Sequence, residues 1–124
     1  MGYRSDVLYV ADFVDDNCAQ AALTAAKLKY ELDEWEWENI NQTNQYIIFC
    51  AYGWKWYDSY DGVKTIIDMF ENFFHKMYNS SVKHVCIGEE TDDNTEELLE
   101  SETRDVPDTY WDIYIHRQIT TPWD

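Results

Sequence analysis

The chain has 124 residues, a formal net charge of −16 at pH 7, 45% hydrophobic residues and 17% aromatic residues. This length is typical of one domain with a single core, and the aromatic content excludes an intrinsically disordered chain. The negative charge repels phosphate, which excludes general affinity for nucleic acid and favours basic partners.

The first half of the chain predicts a strand, a helix and a second strand. Residues 3–13 alternate with apolar side chains on both faces, as in a well-buried strand. Asp15 opens a run with helix N-cap chemistry, and the apolar spacing after it predicts a helix of about six turns that ends near Glu38. Residues 45–52 are almost continuously apolar and favour a central strand, which residues 54–56 either extend or follow with a short partner strand. The predicted apolar stripe of the helix is Ala21, Ala25, Leu28, Leu32 and Trp35.

The second half predicts another helix and two more strands. From Val63 to Met77, apolar residues recur at helical spacing and indicate an amphipathic helix. Residues 82–87 and 110–120 alternate as strands do. The predicted fold class is α+β, with two helices packed on one face of a largely antiparallel sheet of four to five strands. We expect one acidic domain over residues 1–124, with an acidic connection at about residues 88–109.

The negative charge is concentrated late in the chain. Residues 89–112 contain eleven carboxylates and one basic side chain, Arg104. A solvated, disordered acidic segment is one interpretation of such a run. The apolar face of the strand predicted at 110–120 must return to the core, however, so we expect both ends of the segment to be attached to the fold.

The spacing of these carboxylates resembles that of backbone phosphates. Carboxylates lie about 5–6 Å apart at i, i+4 on a helix and about 6.6 Å apart at i, i+2 on a strand, close to the roughly 6–7 Å between phosphates. A basic nucleic-acid-binding protein is therefore the expected partner. The candidate partner-binding residues are Glu31, Glu34, Glu36, Glu38, Glu89, Glu90, Asp92, Asp93, Glu96, Glu97, Glu100, Glu102, Asp105 and Asp108.

Two other interpretations are possible. In the first, the carboxylates form a solvated face that only aids solubility, although a net charge of about 2–8 suffices for that. Alternatively, an aromatic surface binds a partner protein without mimicry. The aromatic candidates are Trp35, Trp37, Trp54, Trp56, Tyr57 and Tyr114.

A small cysteine-dependent or metal-dependent enzyme is the remaining alternative. It would begin with His84 and Cys86, which alternation places on one face of a strand, with Cys50 on a neighbouring strand. We predict no catalytic residue, no metal site and no cofactor, because no close Cys or His pairs and no glycine-rich phosphate loop accompany them. The absence of a signal-like start and of a Cys-x-x-Cys pair predicts reduced thiols in the cytoplasm, and no apolar run predicts a membrane span.

Three pieces of the chain resemble a set of small phage and prophage proteins of unassigned function. They are Met-Gly-Tyr-Arg-Ser-Asp-Val at residues 1–7, Lys-Trp-Tyr-Asp-Ser-Tyr at 55–60 and Ile-Gly-Glu-Glu-Thr-Asp-Asp at 87–93. The resemblance implies a phage-derived protein that acts in a bacterial cytoplasm and supplies no catalytic residues. In charge and size the chain is also similar to phage DNA mimics that block restriction enzymes or CRISPR effectors. We therefore expect a non-enzymatic inhibitor of a host defence complex.

Overall fold

The computed structural model describes residues 5–57, 59–88, 94–112, 114–115 and 119–120. It shows an α+β fold in which helices cover one face of a five-stranded antiparallel sheet, as the sequence predicts. The elements are β1 (Ser5–Asp12), α1 (Asp16–Lys29), α2 (Glu34–Trp37), β2 (Ile40–Thr43), β3 (Tyr46–Trp54), α3 (Asp61–Asp68), a π-helix (Met69–Met77), β4 (Val82–Ile87), β5 (Asn94–Leu99), a 3-10 helix (Asp108–Asp112), β6 (Tyr114–Ile115) and β7 (Ile119–Thr120).

Strand β1 lies at the centre of the sheet, whose strand order is β2-β3-β1-β4-β5. Its two faces are both buried, because Val7, Tyr9 and Ala11 face the helices while Leu8 and Val10 face a second apolar cluster. On the helix side of the sheet, one residue from each of the five strands pairs with a residue on the neighbouring strand, and together they form a row across the sheet. The row is Ile40, Phe49, Tyr9, His84 and Glu97.

The first helix is shorter than predicted and buries a different face. It ends at Lys29 because Tyr30 has an extended backbone, and Asp33 then starts the separate helix α2. The predicted stripe is wrong, since Leu28 is 86% exposed and Trp35 is 54% exposed. The helix instead contacts the sheet through small side chains, which allow its backbone to approach closely: Ala19, Ala22 and Ala26.

The second helix is present as predicted, as α3 continued by the π-helix. Ile66, Phe70 and Phe74 along it are fully buried against the sheet. Met77 is 72% exposed, so the predicted apolar face ends before that residue. The hydroxyl of Tyr9 donates to Glu71 Oε2 over 3.3 Å and connects the π-helix to the central strand.

The opposite face of the sheet is covered by the chain after β5. Tyr110 is 0% exposed and packs with Leu8 and Val10. The predicted single strand over 110–120 is wrong, since a 3-10 helix occupies Asp108–Asp112 and two short strands pair with each other outside the main sheet. The acidic connection also contains an unpredicted strand, β5, which pairs with β4.

Strand β2 is a further element that the sequence interpretation missed. It forms a hairpin with β3 through Asn44 and Gln45, and Asn44 adopts a φ of 54°, which asparagine tolerates better than most residues. Trp54 extends β3, one of the two alternatives expected for it. No helix in the described part of the chain is long and apolar enough to cross a membrane.

Candidate partner-binding surfaces

The acidic segment is attached to the sheet through its one basic side chain. Arg104 Nη1 lies 3.0 Å from Asp12 Oδ2, and Arg104 Nη2 donates to the carbonyl of Asn79 over 2.9 Å. Asp12 is 3% exposed, and its Oδ1 accepts from the Ser81 amide over 2.7 Å. Burial raises the pKa of Asp12, while the Ser81 amide and the Arg104 guanidinium act in the opposite direction. Arg104, the one basic residue of the segment, is therefore paired with groups of the fold itself.

A second attachment lies at Tyr110. Its hydroxyl donates to the carbonyl of Ser81 over 2.6 Å, and the hydroxyls of Tyr46 and Thr109 lie 3.0 Å apart. Together with Arg104 these contacts hold residues 100–110 against the sheet. The expected attachment of the acidic segment is thus present in its described part, through a buried tyrosine and an ion pair instead of a returning strand.

The later group of predicted carboxylates is exposed on the edge strand β5 and on the chain after it, which runs over the face of the sheet opposite the helices. Glu96 and Glu97 lie on opposite faces of β5, because Glu97 pairs with His84 on the helix side and Glu96 pairs with Val85. Lys83 Nζ lies 3.8 Å from Glu96 Oε1 and partly compensates that one carboxylate. We call the six residues the acidic edge: Glu96, Glu97, Glu100, Glu102, Asp105 and Asp108. The predicted residues Glu89, Glu90, Asp92 and Asp93 lie outside the described residues.

The earlier group of predicted carboxylates does not form one helical row. Glu31 lies between α1 and α2, while Glu34 and Glu38 lie at the two ends of α2, and all three are exposed. Glu36 differs from the expected exposed row, because it is 7% exposed and its Oε1 accepts from the Asp33 amide over 3.0 Å. This return contact is that of a capping box.

The two groups begin at opposite edges of the sheet. Helix α2 leads directly into the edge strand β2, whereas the acidic edge begins on β5. Four inter-strand spacings separate these strands, or roughly 19 Å at about 4.8 Å each. Glu96 and Glu97 are therefore separate from the carboxylates around α2, while the chain after β5 carries the other later carboxylates over the face opposite the helices.

A groove lies between α2, the end of β3 and the start of α3. It has a volume of about 490 Å³, and its lining includes Trp35, Trp54 and Tyr60. The rings of Trp35 and Trp54 lie 4.9 Å apart between centroids, and Trp35 Nε1 donates to Asp33 Oδ2 over 3.3 Å. We call this the aromatic groove, and its remaining lining residues are Asp33, Glu36, Gly53, Lys55, Gly62 and Val63.

Sequence reasoning named Trp35 and Trp54 but missed Asp33 and Tyr60. A detectable signal was present, because Asp33 followed by Glu36 is a capping-box pattern that marks a new helix start. Its recognition would have divided the predicted six-turn helix and placed Trp35 beside the end of β3. The partners of Arg104 carry no local signal, since Asp12 is far away in the chain.

The residues of the enzymatic alternative are packed into the fold. The His84 ring stacks on Tyr9 with 4.1 Å between centroids, and burial lowers the pKa of His84 to about 4. Neither imidazole nitrogen has a hydrogen-bond partner among the described residues. Burial raises the pKa of Cys86, the reverse of an activated thiolate.

No metal-binding arrangement joins these residues. Cys50 pairs with Leu8 and lies on the other face of the sheet from His84 and Cys86. Within the described ranges, no group of three or more His, Cys, Asp or Glu side chains has the arrangement of a metal site.

Comparison with known proteins gives one weak similarity and no family. The chain is 28% identical to the chloroplastic protein translocase subunit SecA of Ostreococcus lucimarinus, over an alignment that covers 93% of this chain and 13% of that protein. The chain thus spans about an eighth of the length of this relative. No family model matches the sequence, and no solved structure matches it.

Proposed function

We propose that this protein is a phage counter-defence inhibitor without enzymatic activity that mimics the phosphate backbone of nucleic acid. In this proposal it acts in the cytoplasm of the host bacterium and occupies the nucleic-acid channel of a defence complex. A CRISPR effector or a restriction enzyme is the leading target. The supporting observation is the acidic edge, whose carboxylates are exposed while the only cation of the segment is paired with buried Asp12.

Attachment of the segment favours binding because an ordered polyanion loses less conformational entropy than a free tail. Tyr110 and Arg104 already fix the backbone of residues 100–110 in the free protein. Ordering a flexible segment costs roughly 1–2 kcal/mol per residue for the backbone alone. A channel lined by Lys and Arg would therefore meet a preorganised partner.

Charge supports the same proposal through the rate of association. A net charge of −16 on 124 residues attracts a basic channel at long range and raises the association rate at low salt. The acidic edge contributes six of the carboxylates that produce this charge. Lys83 compensates Glu96 within the sheet, so we expect Glu97, Glu100 and Glu102 to contribute more than Glu96.

The test is protection of a phage in living bacteria. A phage targeted by an active CRISPR or restriction system is plated on cells that express the protein or a variant, and the efficiency of plating is measured. The wild-type protein should restore plating on at least one system. Glu100→Gln with Glu102→Gln should reduce the affinity for the purified target about 5- to 30-fold, the equivalent of about 1–2 kcal/mol.

Glu34→Gln with Glu38→Gln is the matched control, because it makes the same change in net charge at the other edge of the sheet. It should retain protection and affinity. Equal loss in both variants would show that total charge matters and not the acidic edge. Duplex DNA or guide RNA should displace the wild-type protein from its target, and binding that neither displaces would contradict mimicry.

The aromatic surface supports a second candidate function, inhibition or adaptation through a protein–protein contact without mimicry. Trp35 is 54% exposed and Tyr60 is 46% exposed, and both line the aromatic groove. Exposed aromatic residues beside a cavity are typical of protein-binding sites. Raising the salt concentration separates the two candidates, because polyanion mimicry weakens steeply while an aromatic contact changes little.

A further inference from the structure

We propose that the aromatic groove binds the side chain of an arginine presented by a protein partner. The groove lies beside α2, at the edge of the sheet opposite the acidic edge, and is therefore a separate binding site. Its volume of about 490 Å³ lies within the range of about 300–1,000 Å³ typical of ligand pockets.

The aromatic lining provides faces on which a planar cation stacks. Three aromatic side chains of the described residues are exposed, and two of them, Trp35 at 54% and Tyr60 at 46%, line this groove, whereas Tyr52 lies outside its lining. Trp54 stands against Trp35 with ring centroids 4.9 Å apart and planes inclined by 47°. Cations bind the faces of Trp and Tyr, and arginine does so more often than lysine.

The groove also has an excess of negative charge. Asp33 and Glu36 line it, and an adjoining depression adds Glu31 and Asp61. Neither of the two ion pairs found among the described residues involves any of these carboxylates. Among the described lining residues Lys55 is the one that is basic, and it is exposed, with its ammonium group at the end of a flexible stem. A cationic ligand therefore complements the site.

Glu36 is the observation that points most directly to a donor-rich ligand. This residue is more than nine-tenths buried, with 7% of its surface exposed, yet it lines the groove. Its Oε1 accepts from the Asp33 amide, while its Oε2 accepts no hydrogen bond from the part of the chain that the structure describes. This oxygen is not fully buried, so a cationic ligand in the groove can donate a charge-assisted hydrogen bond to it and gain binding free energy.

An arginine satisfies all three features together. Its guanidinium group is planar and stacks on an indole, and its five N–H donors reach a carboxylate in the same plane. Lysine provides the charge but neither the plane nor the fork of donors. The neutral analogue citrulline retains the plane and several donors but has no charge. Comparison of arginine, lysine and citrulline therefore separates the contribution of charge from that of the planar group and its donors.

The test is a titration of the full chain with short peptides, followed by nuclear magnetic resonance. The probes are acetyl-Gly-Arg-Gly-amide and its lysine and citrulline analogues, and the signals are the indole Nε1–H resonances of Trp35 and Trp54. The arginine peptide should shift both resonances in a saturable manner, with a dissociation constant in the millimolar range. The lysine peptide should bind several-fold more weakly, and the citrulline peptide about tenfold more weakly.

Variants locate the site. Trp35→Ala should weaken binding of the arginine peptide about fivefold or more, read from the Trp54 resonance. Asp33→Asn should weaken it similarly, since asparagine keeps the helix-capping chemistry and removes the charge. Lys55→Met should strengthen binding, because it removes the opposing cation. Glu97→Gln on the acidic edge is the matched control with the same change in charge, and it should leave binding unchanged.

Each alternative result overturns the proposal. A citrulline peptide that binds as well as the arginine peptide would show that charge is not recognised. A loss in Glu97→Gln equal to that in Asp33→Asn would show diffuse attraction, and no saturable shift up to about 20 mM peptide would show that there is no site. Dispersed spectra of the variants establish that they are folded. The free protein is used throughout, so failure here is distinct from failure of the counter-defence proposal.

Discussion

Arg104 and Asp12 lie 3.0 Å apart between Nη1 and Oδ2, although 92 positions separate them in the chain. The pair joins the end of the central strand β1 to the middle of the acidic segment. Its carboxylate side is 4% exposed and its guanidinium side is 26% exposed. The first prediction follows from this difference in burial.

Replacement Arg104→Met should destabilise the fold by about 3 kcal/mol, measured by urea unfolding at neutral pH. The reason is that Asp12 remains buried without its cation, and the exposed part of Arg104 places the loss at the lower end of the usual range for broken buried pairs. Lys83→Met is the control with the same change in charge. It breaks a pair whose Glu96 side chain is 43% exposed and should cost at most about 1 kcal/mol.

Tyr110→Phe should destabilise the protein by about 1–2 kcal/mol and loosen the acidic segment. The variant removes the hydroxyl that donates to the Ser81 carbonyl over 2.6 Å and leaves that buried acceptor with a weaker set of donors. Limited proteolysis with a Glu-specific protease should cut faster after Glu100 and Glu102 in the variant than in the wild type. Equal cleavage rates would mean that Tyr110 does not hold this segment.

Gly62→Ala should destabilise the fold by about 1–3 kcal/mol through a steric conflict with Glu36. A Cβ at Gly62 would overlap Glu36 Oε2 and displace the carboxylate that caps α2. Adding Glu36→Ala to Gly62→Ala should recover part of this loss, which a double-mutant cycle measures.

Gly53→Ala provides the comparison for this cycle. Its φ is 68°, and no atom of the described residues beyond its chain neighbours lies within 4 Å of an added Cβ, so its cost is backbone strain and not overlap. Glu36→Ala should therefore give no recovery in the Gly53→Ala background. A recovery of the same size in both backgrounds would contradict the proposed overlap.

His84 should make the protein less stable as the pH falls from about 6.5 to about 4. Its folded-state pKa is lowered to about 4 by burial, so over this range the unfolded state binds the proton and the folded state does not. The shift corresponds to a loss of about 3 kcal/mol between the two pH values. His84→Asn removes this titration. As the pH falls over this range, the free energy of unfolding of the wild type should therefore decrease relative to that of the variant. The carboxylates are common to both proteins, so their contributions cancel in the difference.

Local patterns predicted the elements that depend on local chemistry. Strand β4 coincides with residues 82–87, where alternation ends at Gly88. The amphipathic run from Val63 gave α3 and most of the π-helix, because Phe70, Phe73 and Phe74 have no alternative to burial.

Elements that depend on the rest of the fold were not predictable in the same way. Helix α1 buries three alanines and exposes Leu28, since close approach to the sheet outweighs the larger side chain. Strand β5 has an acidic sequence without an apolar alternation, and pairing with β4 decides its structure. No sequence periodicity predicts the pair of Arg104 and Asp12, because 92 positions separate the two residues.

The position of β5 at the edge of the sheet has a consequence for self-association. Among the described strands β5 has a neighbour on one side only, and an edge strand is a template on which a strand from a second copy can add. Glu96 and Glu97 bring like charges together in any such addition, so the protein opposes growth of its own sheet into fibrils at neutral pH. The charge that we assign to partner binding is thus also a barrier to polymerisation, and light scattering should rise when Glu96→Gln and Glu97→Gln remove it.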